Sequence, residues 1–254
     1  MLTQEGFEIT LKYWKMFVEG LVCTVSLSFF TVILGFILAL VLALMRMSSF
    51  APLRFLGYNH RLDSIISRIS RFRPLNFIAS VYVEIFRATP LMVQLFIVYY
   101  VLLGDWDIPS FKMFGFIRFE RFVPGVIALS MNSAAYLSEI IRSGIQSIEL
   151  GQTEASRSLG MSQGMTMRYI ILPQAIKNIL PAIANEFVTI IKESSICWTI
   201  SVQEIMSAVN SVKAATYRIS EALIVAACVY FCLTFPTSKI IAYFERRMSR
   251  GDRR

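Results

Sequence analysis

Residues 20–45 read GLVCTVSLSFFTVILGFILALVLALM, 26 positions without a charge. About 20 apolar residues in a helix are enough to cross the hydrocarbon core of a bilayer. This stretch therefore decides the class of the fold, and the solvent it points to is lipid. The composition agrees: 56% of the 254 residues are apolar and 17% charged, where a soluble domain carries about 25% charge. Further apolar stretches follow at about 78–103, 122–141, 179–197 and 222–243. The fourth stretch is the weakest on hydropathy, because it contains Glu186, Lys192 and Glu193. The expectation is an all-α polytopic bundle, one domain over residues 1–254 with five transmembrane helices. The first apolar run is too long for the core of a signal peptide and no small-residue cleavage site follows it, so no cleavable leader is expected.

The connections give the orientation. Residues 46–73 hold six arginines against one acid, Asp63. Residues 105–121 balance at three bases and three acids, and 142–177 hold four bases against two acids. Residues 198–221 balance again, and 239–254 hold six bases against two acids. Basic excess on alternate connections is the positive-inside pattern, so the N-terminus is expected outside and the C-terminus in the cytoplasm. The net charge of +8 is then explained without a nucleic-acid partner. Within the first basic connection, Leu62, Ile65, Ile66, Ile69 and Phe72 share a helical face, with Arg61, Arg68, Arg71 and Arg73 around it. Such a helix suits the anionic inner leaflet, with docking onto a partner as the competing use. Cys23, Cys197, Cys228 and Cys232 form no CxxC pair, and the only histidine is His60. No metal ligand set is expected, and the thiols are read as small buried hydrophobes.

The hydrophilic connection at 142–173 carries the most specific pattern. Glu154-Ala155-Ser156-Arg157-Ser158-Leu159-Gly160 is followed nine residues later by Ile170-Ile171-Leu172-Pro173. Residues 149–159 suit a short helix with Gly151, Ala155 and Ser156 permitting close approach of another protein. Gly160 can take positive φ and end that helix, Ser162 can cap the segment after it, and Pro173 is expected to break or redirect the chain before the fourth span. The spacing resembles the EAA loop of ABC importer permeases, with Ser156 in place of the second alanine.

The likeness extends to the polar amino acid permeases of that superfamily. Thr24-Val25-Ser26-Leu27-Ser28 opens the first span as theirs does. Glu84-Ile85-Phe86-Arg87-Ala88-Thr89-Pro90-Leu91, with Gln94, is similar to their F-R-G-T-P-L segment. Asn185-Glu186-Phe187 and Lys192-Glu193-Ser194-Ser195-Ile196 are similar to their N-E-F and K-D-T/S-S-L segments. The resemblance covers about residues 20–247. It implies a cytoplasmic coupling helix that docks on an ABC ATPase subunit through Glu154, Ala155, Ser156, Leu159 and Gly160. It also implies a periplasmic or lipid-anchored amino acid-binding protein and a second permease, identical or homologous, in a bacterial inner membrane. The chain has no G-x-x-x-x-G-K-[ST] loop and no nucleophile constellation, so no catalytic residue and no cofactor of its own are expected. ATP and magnesium would belong to the partner ATPase. The alternative is a secondary carrier or channel working without ATP, for which an internal inverted repeat would be expected; five spans show none.

Charges inside a membrane span are expensive and usually functional. At 100° per residue, Asn185, Glu186, Thr189, Lys192 and Glu193 occupy about a third of one helix circumference. Lys192 could meet the carboxylate of a zwitterionic amino acid, and Glu186 or Glu193 its ammonium group. Two further rows could face the same cavity: Glu84, Arg87, Leu91 and Gln94 on the second span, and Asn132, Tyr136 and Glu139 on the third. Glu84–Arg87 and Glu139–Arg142 are equally readable as structural pairs three residues apart.

Overall fold

The computed structural model describes residues 2–48 and 73–249. The basic amphipathic stretch at 61–72 and His60 lie outside the described residues. Helix α1 (Gln4–Leu11) is capped by Thr3, whose hydroxyl accepts the Gly6 N–H at 3.1 Å. Helix α2 (Trp14–Met47) contains the whole uncharged run quoted above. At 1.5 Å per residue it is about 50 Å long, well beyond the thickness of a hydrocarbon core.

The second apolar stretch is not one helix. Helix α3 (Pro74–Ala88) ends at Thr89, which is extended at φ −110° and ψ 145°. Helix α4 (Leu91–Phe96) then starts behind Pro90 and runs through a π-helical turn to Leu102. The two halves are bent by 111°. A residue before proline is pushed out of the helical region and proline has no N–H to donate, so the break falls where the chemistry puts it. The expected row Glu84–Arg87–Leu91–Gln94 is therefore split between two directions.

A two-residue hairpin, β1 (Lys112–Met113) against β2 (Ile117–Arg118), turns at Phe114 and Gly115, both at positive φ. These short strands, helix α1 and the helix over residues 205–216 are elements that the hydropathy pattern does not predict. Helix α5 (Phe119–Gln146) returns through the bundle to α6 (Leu150–Ser158). After Gly160, Ser162 caps α7 (Gln163–Thr166), which passes through a π-helical stretch at Met167–Ile171 into α8 (Leu172–Glu193). Pro173 neither breaks nor redirects this run. It sits in the first turn of α8, and the preceding π-turn absorbs its missing donor. A 3-10 segment (Ser194–Ile200) leads to α9 (Ile205–Thr216) and α10 (Ser220–Ser249).

Helix α5 is central, packed on α2 and touching α3, α4 and α8. In lipid there is no water to drive helices together, so close backbone approach by small residues matters more. Gly35, Ala39 and Ala43 recur every four residues on α2 and are buried, with Ala134, Leu137 and Ile141 of α5 packed alongside the two alanines. A β-carbon at Gly35 would stand 3.4 Å from the Ser130 carbonyl and the Ser133 side chain. Nearer the hairpin, Cys23, Leu27, Val126, Leu129 and Cys197 form a second buried cluster. Cys228 and Cys232, expected buried, are exposed on α10, because the described chain covers only part of that helix. By length and composition α2 and α10 are apolar enough to cross a membrane, with the bent α3–α4 pair as a third.

Candidate functional site

At the end of α5 the chain leaves the bundle and builds a short projecting helix. Glu149 starts α6, and Gly160 at φ 82° ends it, as the sequence predicts. The N–H of Met161 returns to the Ser156 carbonyl at 3.1 Å, closing the turn. Ser156 is the buried member of the set, its hydroxyl bonded to the Thr153 carbonyl at 2.9 Å and to Thr166 Oγ1 at 3.0 Å. Glu154 and Ala155 are exposed, and Leu150 and Leu159 are 79% and 84% exposed. Two nearly naked leucines flanking a polar helix leave an apolar surface uncovered. The neighbouring α7–α8 run adds exposed Met165 and Tyr169.

The base of this projection is pinned by charge. Glu139 on α5 is ion-paired with Arg142 one turn later and with Arg46 at the end of α2. Arg142 donates to both carboxylate oxygens of Glu139, its Nε reaching Oε2 at 3.1 Å. The i,i+3 pairing of Glu139 and Arg142 matches the structural alternative given for it, with Arg46 as a third member from another helix. Arg87 at the end of α3 instead lies over the Tyr136 ring, 5.9 Å from its centroid.

The polar stripe of α8 divides into two rows. Asn185 and Lys192 are exposed and Thr189 is half-buried, bonding to the Asn185 carbonyl at 3.3 Å. Glu186 and Glu193, seven residues apart, are half-buried. Glu186 accepts a hydrogen bond from Ser133 of α5 at 3.2 Å. One row thus faces out of the described chain and the other faces α5. Below the stripe, toward α6, a cavity of about 370 Å³ is lined by Lys177, Asn178, Asn185 and Glu245 among others.

Gln94 and Asn132 lie elsewhere. Both are buried and bonded to each other, Asn132 Nδ2 donating to Gln94 Oε1 at 2.7 Å. Gln94 Nε2 donates to the Phe86 carbonyl at 2.8 Å and to the Thr89 carbonyl and hydroxyl at 3.0 and 2.8 Å. In an unbroken helix the N–H of residue 90 would serve the Phe86 carbonyl. Pro90 has none, and the Gln94 amide stands in for it. The two residues hold the break that presents Arg87 and Thr89.

Sequence reasoning missed Glu204. It is fully buried and accepts the N–H groups of Met206 and Ser207 and the hydroxyl of Tyr230, each at 2.9 Å. It therefore caps α9 and ties it to α10. Gly20 of α2 lies against it so closely that a β-carbon there would stand 2.9 Å from the Glu204 backbone. The only sequence signal was an acid immediately before the periodic apolar run Ile205–Val212.

Residues 64–250 match the family described as the binding-protein-dependent transport system inner membrane component. The arginine transport system permease protein of Bacillus subtilis (strain 168) is 38% identical over 97% of this chain and 98% of its own length. A putative glutamine transport system permease protein of Rickettsia conorii is 35% identical over 95% and 98%. The L-cystine transport system permease protein of Bacillus subtilis is 34% identical over 94% and 88%. Among solved structures, an amino acid ABC transporter crystallised with histidines superposes with a TM-score of 0.80 at 39% identity, covering 97% of this chain and all of that one. An inward-facing methionine ABC transporter superposes with a TM-score of 0.65 at 18% identity, a likeness of fold alone.

Proposed function

The chain belongs to the binding-protein-dependent inner membrane components of ABC transporters, and on that premise we propose that it carries a polar amino acid across the bacterial cytoplasmic membrane. It is the membrane subunit of an ATP-driven importer, and glutamine, glutamate, arginine, histidine and cystine are the solutes considered. The relatives named for arginine, glutamine and cystine handle solutes that share the zwitterionic group of an α-amino acid. On α8, Lys192 takes the solute carboxylate and Glu186 or Glu193 its ammonium group, with Asn185 and Thr189 completing the row. Arg87 stands on the neighbouring α3, and Gln94 and Asn132 shape the break beside it. Five crossings are assigned, α2, the bent α3–α4 pair, α5, α8 and α10, with the N-terminus outside.

The observation that carries the reading is the projecting helix α6, held at its base by Arg46, Glu139 and Arg142 and exposing Leu150 and Leu159. It serves as the coupling helix, seated on a separate ATPase that binds ATP and magnesium. A second permease chain completes the path, and an extracytoplasmic binding protein delivers the solute. Closure of two ATPases around ATP would draw two such knobs together, so each bound state holds the bundle differently, the differential interaction any driven change requires.

The test is ATP hydrolysis by the chain purified with its native partners in lipid, titrated with binding protein loaded with single amino acids. One amino acid should stimulate hydrolysis. Glu154→Lys should abolish that stimulation, and Lys192→Ala should abolish uptake with the ATPase still bound. A chain that moves solute in vesicles without any ATPase defeats the reading; full coupling in Glu154→Lys defeats the docking role, and normal uptake in Lys192→Ala the site.

A further inference from the structure

The end of the bundle opposite α6 carries a polar groove that neither the coupling helix nor the α8 stripe uses. It encloses about 430 Å³ between β2, the 3-10 segment after α8 and the polar face of α9, a size suited to a small molecule. Three of its groups have no partner among the described residues. No carboxylate pairs with the Arg118 guanidinium, and the Trp198 indole N–H makes no hydrogen bond. Gln203 Oε1 is buried and accepts none. Ser211 donates its hydroxyl to the Ser207 carbonyl at 3.0 Å, so its oxygen is left to accept.

These groups are complementary to the two ends of a zwitterion. A guanidinium is a fork of donors matched to a carboxylate. A buried amide oxygen without a donor is a costly arrangement that an arriving ammonium would relieve. Trp198 is 40% exposed and offers apolar surface to whatever side chain the solute carries. It lies six residues beyond Lys192, roughly 10 Å along the same helical run.

We propose that this groove is an outer receiving site for the free amino acid, with Arg118 holding the α-carboxylate and Gln203 Oε1 the α-ammonium before the solute moves inward toward Lys192. The proposal rests on the reading of the chain as an amino acid importer subunit. Recognition is confined to the shared backbone groups, so the site accepts several amino acids alike and leaves selectivity to other parts of the system.

The test uses the full transporter in nanodiscs, without binding protein or nucleotide, on a Lys192→Ala background that removes the inner site. Calorimetric or NMR titration with L-arginine and with L-glutamine should show weak binding of both. The N-acetyl and the α-amide derivative of each should bind at least tenfold more weakly. Arg118→Gln and Gln203→Leu should each weaken binding at least tenfold, while Gln203→Glu, which keeps an acceptor, should retain it. Affinities within twofold of the parent in both weakening variants would overturn the site. So would unchanged amino acid affinity in both variants if a parallel assay, with loaded binding protein added to the same nanodiscs, showed weakened attachment, which would make the groove a protein-docking surface. Stimulation of ATP hydrolysis by loaded binding protein, measured on the unmutated transporter, reports on the importer reading separately.

Discussion

Glu204 is a carboxylate with no exposure to solvent and three donors around it. Two donors are the first free N–H groups of α9, where a negative charge is favoured by the helix dipole; the third comes from Tyr230 on α10. Burial pushes the Glu204 carboxyl up to about 7, so near neutral pH each bond lies between a neutral hydrogen bond, about 1 kcal/mol, and a charged one, about 1.5–3 kcal/mol. Tyr230→Phe should therefore lower the stability of the purified transporter by about 2 kcal/mol. Glu204→Ala, which also removes the cap, should cost more than Tyr230→Phe. Thermal unfolding in detergent measures both, and a Tyr230→Phe variant as stable as the parent would show that the bridge contributes nothing. Lys192 and Glu186 stand out in the sequence because a charge inside an apolar run is conspicuous. Glu204 does not, because it stands in a polar connection and glutamate is not among the usual capping residues. Its two long-range partners, Tyr230 and the backbone beside Gly20, are separated from it by whole elements.

The elements divide by whether their signals are local. The end of α6 at Gly160 and the cap at Ser162 follow from one residue each, and both are in place. The bend between α3 and α4 has an equally local cause in Pro90, yet helical periodicity carried through it suggested one continuous polar row. What makes the bend tolerable is not local: Gln94 supplies the donor that Pro90 withholds, and Asn132 of α5 fixes the orientation of the Gln94 amide. Only the packing of α5 against both halves brings these residues together. Gln94→Leu would leave the Phe86 carbonyl and the Asn132 amide only their long contact with each other, at 3.5 Å, and each stronger bond lost to a buried group costs about 1–3 kcal/mol. The variant should unfold at lower temperature and lose uptake more than Asn132→Ala, which leaves Gln94 bonded to the Phe86 carbonyl. Equal stability of Gln94→Leu and the parent would mean that water or a shifted helix end replaces the amide without cost.

Across the whole molecule, the N-terminal helix α1 is fastened to the start of α10. Glu221 at the start of α10 is 3% exposed and accepts the Thr3 N–H at 3.3 Å, across 218 positions of sequence. Arg218 bonds Thr3 Oγ1 at 2.7 Å and lies 3.7 Å from both Glu221 and Glu5. A β-carbon at Gly6 would stand 2.3 Å from Glu221 Oε1, so α1 is laid directly onto this carboxylate. The Glu221 carboxyl is held below its ordinary range, first by its own backbone N–H and then by the Thr3 N–H and Arg218. A folded value below the unfolded one, about 4.3 for glutamate, means the ionised form favours the docked state. That stabilisation is complete above the unfolded value and is lost as pH falls through the lower folded one. Hydrogen exchange at residues 3–12, corrected for intrinsic rates, should be flat from pH 7 to 5 and accelerate at the acid end, near pH 4 and below. In Glu221→Gln the same amides should exchange fast at pH 7 and show no further acid response. If the unmutated chain protects these amides equally at pH 7 and at pH 3, the attachment of α1 rests on Arg218 and apolar packing, and Glu221 is a bystander to it.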